Sequence, residues 1–176
     1  MSAAERWRGR HLSIVETGGW EHVHRVRGTG VVGIVALTDD RIVLVEQHRP
    51  PVGARVLELP AGLVGDDDAD EPTAVAAARE LLEETGFASD RWQRLAELTS
   101  SAGLTDERVE LWIARGAHRV APGGGAHDED VQVHVVPLPE LQRFVRARLA
   151  AGVLLDPKVL VAVLVAGEAW DGGTFP

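Results

Sequence analysis

Residues 73–84 read TAVAAARELLEE between Pro72 and Gly86, and no other stretch limits fold and chemistry as tightly. Proline suits a first helical position because its missing N–H would find no partner there. Glycine suits the end because it turns left-handed without strain. The segment is therefore predicted to be a helix. At about 100° per residue, Glu83 and Glu84 fall about 60° and about 40° to either side of Glu80, so three carboxylates share one arc. Ala74, Val75, Ala78, Leu81 and Leu82 lie opposite and are expected to form the packing face. Ala76 and Ala77 flank the acids and should leave room above them.

Carboxylates at this spacing repel, and the helix dipole at its C-terminus favours cations instead. A divalent cation with hard oxygen ligands, Mg²⁺ or Mn²⁺, offsets both effects and can bridge the acids to phosphates. A solvated acidic face is the plainer alternative. Net charge sharpens the choice. With 27 acidic and 18 basic residues the chain carries −9, the wrong sign for a nucleic-acid binder. Its one dense basic group, Arg143, Arg146 and Arg148, fits a solvated helix face. An anionic ligand would need a local arginine or a bound cation to overcome the general repulsion.

The absence of cysteine excludes disulfides, thiolate metal sites and a thiol nucleophile. No apolar run approaches the roughly 18 residues of a membrane span, and MSAAERWRGRH is no signal peptide. A cytoplasmic protein without membrane contact is expected. Its 176 residues, 45% of them hydrophobic, suit one domain with a sizeable core.

Residues 11–17 and 20–27 alternate in strand fashion around Gly18-Gly19, and 30–37 and 41–47 are β-branched runs joined at Asp39-Asp40. A short strand is predicted at 54–59, then an acidic loop from Gly65 to Asp70. Further strands are expected at 92–99, 108–114 and 131–136, with a glycine-rich loop over 121–130. Helices are predicted at 138–151 and 157–170, the second apolar enough to be buried. Helices against a mixed sheet make the fold α/β (α+β). Gly28, Gly30 and Gly33 imitate a dinucleotide fingerprint but lead into a strand, which excludes that reading. His22 and His24 share a strand face without further ligands at zinc spacing, so exposed strand positions explain them.

From Gly65 the chain places Glu71, Arg79, Glu80, Leu81, Glu83, Glu84, Gly86 and Phe87 at fixed intervals. This pattern resembles the complete Nudix box. The family is similar in hydrolysing a nucleoside diphosphate linked to another moiety with Mg²⁺ or Mn²⁺, on an α/β/α sandwich. By that resemblance Glu80 and Glu84 are metal carboxylates, and Glu83 is a further ligand or orients the attacking water. The Ala61 carbonyl supplies a backbone oxygen to the metal, and Arg79 pairs with Glu71 or another acid of the box to hold the glutamates.

Residues 46–62 (EQHRPPVGARVLELPAG), SAGLTDE (101–107) and GGGAHDEDVQVHVVPLPEL (123–141) resemble the ADP-ribose and nucleoside diphosphate sugar pyrophosphatase branch. There the match to Arg49 contacts the diphosphate and that to Glu58 lies near the metals. The general base would be Glu129 or His127. Ala102 stands where the branch usually has a proline, which leaves the sugar nucleotide open. Residues 1–28 would form an N-terminal hairpin reaching the partner of a homodimer, ahead of a catalytic domain at 29–176. In that hairpin Trp20 would stack on the base and Glu21 would accept a hydrogen bond from it. Hydrolysis of other nucleoside di- or triphosphates or of coenzyme A is the alternative. A non-catalytic nucleotide sensor is disfavoured because every glutamate of the box is present.

Overall fold

The computed structural model of the chain describes residues 3–65, 68–125 and 130–166. β1 (Ala3–Arg8), β2 (Leu12–Thr17) and β3 (Trp20–Arg25) form an antiparallel sheet of their own. β2 and β3 are the expected hairpin, turned by Gly18 and Gly19 at φ 61° and 83°. β1 carries no strand signal in the sequence. All six of its residues are exposed, and pairing with β2 is what extends them.

The chain continues through β4 (Gly30–Leu37), β5 (Arg41–Arg49), β6 (Ala54–Glu58) and β7 (Ala61–Val64) into α1 (Thr73–Thr85). After it come β8 (Phe87–Ala88), β9 (Arg91–Thr99), β10 (Arg108–Arg115) and β11 (His118–Arg119). Then follow β12 (Gln132–Pro137), α2 (Leu141–Ala150), β13 (Leu154–Leu155) and α3 (Lys158–Val165). One eight-stranded mixed sheet takes the order β13-β6-β5-β4-β10-β9, with β12 paired to β5 and β7 to β4. β10 runs parallel to β4 and β13 parallel to β6.

On the edge opposite β10, β4 serves two partners. Its first four residues pair with β7, whereas Ala36 and Leu37 pair with β5. Where the partners part, the Pro60 carbonyl accepts from the Ile34 N–H at 2.8 Å. The turn through Pro60 and Ala61 therefore sits in the fork of the sheet, a position that pairing decides. That same pairing makes a strand of 61–64, which the sequence presents only as a turn.

Alternate residues of β4 enter opposite cores. Val32, Ile34 and Ala36 join Ala76, Ala77 and Leu81 of α1. Val35 and Leu37 join Leu141 and Val145 of α2 with Val159 and Ala162 of α3. A sheet buried on both faces explains the near-continuous apolar runs of β4 and β5. The expected α/β/α sandwich is present.

Three details differ from expectation. α1 buries Ala76, Ala77, Leu81, Glu84 and Thr85, while Val75, Ala78 and Leu82 are exposed. The helix is rotated so that its acidic edge, and not the opposite face, dips toward the sheet. Small alanines there allow close approach, and the carboxylates are carried inward with them. α3 is amphipathic in place and not wholly buried, since Leu160 and Leu164 stay exposed. Arg148 leaves the solvated face predicted for it and reaches inward to Glu46, which is fully buried, with bonds of 2.8 and 2.7 Å. No helix among the described residues is long and apolar enough to cross a membrane.

Candidate active site

A cleft of about 820 Å³ opens between the end of α1, the fork of the sheet and the start of α3. Glu80, Glu83 and Glu84 line one wall, and Arg49 and Glu58 line another. Gly86 ends α1 in the left-handed region at φ 72°, its N–H bonded to the Leu82 carbonyl at 2.8 Å. The Gly124 and Gly125 N–H groups donate to the carbonyls of Glu84 and Glu83 at 2.8 and 3.1 Å. These bonds satisfy the helix terminus and dock the glycine-rich segment beside the acids.

Glu84 is 7% exposed and accepts from the Ala61 N–H at 3.0 Å. Burial raises its pKa to about 8, against that hydrogen bond, and the charges of Glu80 and Glu58 raise it further. Gly62 matters for a steric reason. A Cβ there would overlap the Glu80 carboxylate, so the backbone forms a cradle for that acid. Arg79 spans the box, meeting Glu71 at 3.0 and 3.2 Å, Glu80 at 2.7 Å, Glu83 at 3.3 Å and the Leu63 carbonyl at 3.0 Å. The Arg79 guanidinium holds the Glu71 carboxyl below its usual range. Arg49 grips Glu58 in a two-pronged pair of 2.8 and 2.5 Å, and Gln47 adds a bond of 3.3 Å to the same carboxylate. Arg49 is thus both a structural partner and a cation facing the cleft.

Among the described residues no three imidazole or carboxylate groups stand ready-made as a metal site, for Arg79 draws Glu80 and Glu83 toward itself. The donor set nevertheless fits a divalent cation. Hard carboxyl oxygens of Glu80, Glu83 and Glu84 line one cleft, and a cation beside the buried Glu84 would favour the charged form that burial, with one backbone N–H against it, disfavours.

Trp20 and Glu21 lie away from this cleft. Trp20 is 63% exposed, donates to the Gly103 carbonyl at 3.3 Å and borders a separate hollow with Ala102 and Thr105. Glu21 is exposed on the other face of β3. His22 and His24 turn toward Asp106, at 3.8 and 2.8 Å. Glu129 and His127 lie outside the described residues. Further residues line the cleft that the sequence reading does not place there, among them Arg25, Gln47, Asp156 and Lys158. Arg25 pairs with Glu107, the last residue of the SAGLTDE segment, at 2.6 Å. Lys158 left one signal, as the sole charged residue in an otherwise apolar run.

Known proteins resemble this chain in sequence and in fold. The NUDIX domain model matches residues 27–156. An ADP-ribose pyrophosphatase of Mycobacterium tuberculosis is 36% identical over 149 residues, spanning 84% of this chain and 69% of that protein. A GDP-mannose pyrophosphatase of Enterobacter sp. is 34% identical over 128 residues, 68% of this chain and 63% of that one. A methanol dehydrogenase activator of Bacillus methanolicus is 32% identical, covering 78% and 72%. In fold, a crystal structure of an ADP compounds hydrolase superposes with a TM-score of 0.68 at 20% identity, covering 94% of this chain and 89% of its own. The chain belongs to the Nudix domain family. Within it, the chain is a Nudix hydrolase.

Proposed function

We propose that the chain is a Mg²⁺-dependent pyrophosphohydrolase, with Mn²⁺ as a substitute, acting on ADP-ribose or a related nucleoside diphosphate sugar. Its products would be a nucleoside monophosphate and a sugar phosphate. The observation that carries this reading is the buried Glu84 carboxylate set beside Glu80, with Arg49 across a cleft of about 820 Å³. Relatives named for ADP-ribose and GDP-mannose hydrolysis support the substrate class.

Glu80, Glu84, Glu83 and the Ala61 carbonyl would hold the cation, which when bound neutralises phosphate oxygens and acidifies water. Arg49 binds the diphosphate and is kept in place by Glu58. Arg79 and Glu71 position the acids of α1. Glu129, with His127 as the other choice, takes the proton of the attacking water. Residues 1–28 contribute the contact of a homodimer, and it is across that contact that Trp20 stacks on the base and Glu21 accepts its hydrogen bond. The protein works in the cytoplasm on a small nucleotide-linked substrate, with no nucleic acid as partner. A hydrolysis screen of ADP-ribose, GDP-mannose, free nucleotides and coenzyme A, with and without Mg²⁺, tests the reading. Turnover of a sugar nucleotide that needs the metal supports it, and turnover of free nucleotides or coenzyme A alone overturns it.

A further inference from the structure

Asp156 and Lys158 line the main cleft and, on their other side, a second hollow of about 240 Å³. We propose that this side hollow seats the sugar carried on the distal phosphate, with the Asp156–Lys158 pair binding its hydroxyls. The inference rests on the nucleoside diphosphate sugar reading and adds to it a subsite that selects the sugar.

Leu98, Val109 and Val161 provide an apolar floor, and Thr99 and Ser100 stand at the rim. A furanose or pyranose has the same two-sided character, with C–H faces and hydroxyl edges. A nucleobase would call for a stacking ring, and none of the residues lining this hollow is aromatic. The pair suits a sugar edge because its carboxylate accepts from a hydroxyl while its ammonium donates to the next one.

Its position is fixed before any ligand arrives. Asp156 Oδ1 accepts from the Lys158 N–H at 2.8 Å, and Oδ2 meets Lys158 Nζ at 2.7 Å. The Asp156 N–H donates to the Leu57 carbonyl at 3.0 Å, tying the pair to β6 one residue before Glu58. The stem of Lys158 crosses Gly33, where an added Cβ would lie 3.5 Å from its Cδ. Both side chains are largely buried, at 20% and 19% exposure. Between Asp156 and Glu168 this lysine is the one charged residue, on a helix that otherwise packs through apolar contacts. As a neutral pair it adds little to the attraction for phosphate that Arg49 supplies. Its contribution is to hydroxyl recognition.

Two substitutions test this. Lys158→Met keeps the stem over Gly33 and removes the ammonium; Ser100→Trp fills the hollow from an exposed rim position. KM and kcat for ADP-ribose are compared with the inhibition constant of AMP, which lacks the distal sugar, and circular dichroism checks the fold. We expect KM to rise about tenfold or more, kcat to stay within about threefold and AMP inhibition within about twofold. An unchanged KM, or a parallel loss of AMP binding, overturns the subsite while leaving the proposed function intact. Absence of turnover on every sugar nucleotide by the unaltered protein overturns both.

Discussion

The Ala61 N–H donates to Oε2 of Glu84 at 3.0 Å, joining the fork of the sheet to the innermost acid of α1. The bond fixes where that carboxylate lies, in the cleft lining it shares with Glu80. A buried acid held by a single neutral donor is poised to receive a cation.

Replacing Glu84 with Gln keeps the shape and removes the carboxylate that a bound cation would draw out. Mg²⁺-dependent turnover should fall by about three orders of magnitude or more, with the melting temperature little changed. Steady-state rates and a thermal melt check both halves. A variant retaining a tenth of wild-type activity would contradict the role given to Glu84.

Gly62→Ala should act through Glu80 alone. The new methyl overlaps that carboxylate and pushes it off its cradle. Displacement of a reacting group by about 1 Å costs on the order of a hundredfold, so kcat/KM should drop by roughly that factor in a folded protein. Activity equal to wild type would show that Glu80 has no fixed place in the reaction.

Arg79→Lys retains the charge but cannot reach Glu71, Glu80, Glu83 and the Leu63 carbonyl at once. The Mg²⁺ concentration for half-maximal rate should rise by about 10- to 100-fold, as when the support of a metal ligand is lost. A metal titration of the rate measures it. An unchanged titration would reduce Arg79 to a surface ion pair.

Stability should decline toward acid through a cluster remote from the cleft. Burial pushes Glu46 up, but hydrogen bonds from Arg148 and Arg55 outweigh it and hold the carboxyl below its usual 4.5. The unfolded chain therefore binds the proton more readily, and the stabilisation present above pH 4.5 is lost as pH falls through the folded value. His134 lies 3.3 Å from Glu46, out of line for a hydrogen bond, and burial keeps it below 6.5. Its contribution likewise disappears on acidification below that value. Glu84, raised to about 8 by burial, works the other way and gains stability as pH falls toward 4.5, so the net fall in melting temperature should be concentrated below about 4.5. Glu46→Gln should flatten the acid limb and cost about 3 kcal/mol at neutral pH by depriving Arg148 of its carboxylate, whereas Arg55 keeps Asp130. An acid limb below about pH 4.5 as steep in Glu46→Gln as in the unaltered protein would rule out this linkage.

The sequence by itself determined α1 and its ends, the hairpin at Gly18-Gly19, the central strands and the spacing that marks the Nudix box. These are local properties, because turn chemistry, helical period and a fixed interval between acids need no distant partner. It did not determine which edge of α1 dips toward the sheet, that 61–64 is a strand, or that Arg148 turns inward to Glu46. Nor did it bring Lys158 and Asp156 to the cleft, about a hundred residues beyond Glu58. Those facts follow from pairing and packing. The shared strand β4 opens a fork for Pro60 and Ala61, alanines on α1 permit close approach, and the parallel pairing of β13 with β6 carries the start of α3 to the site. Each depends on contacts between segments far apart in the chain, where only the closed tertiary structure decides which groups meet.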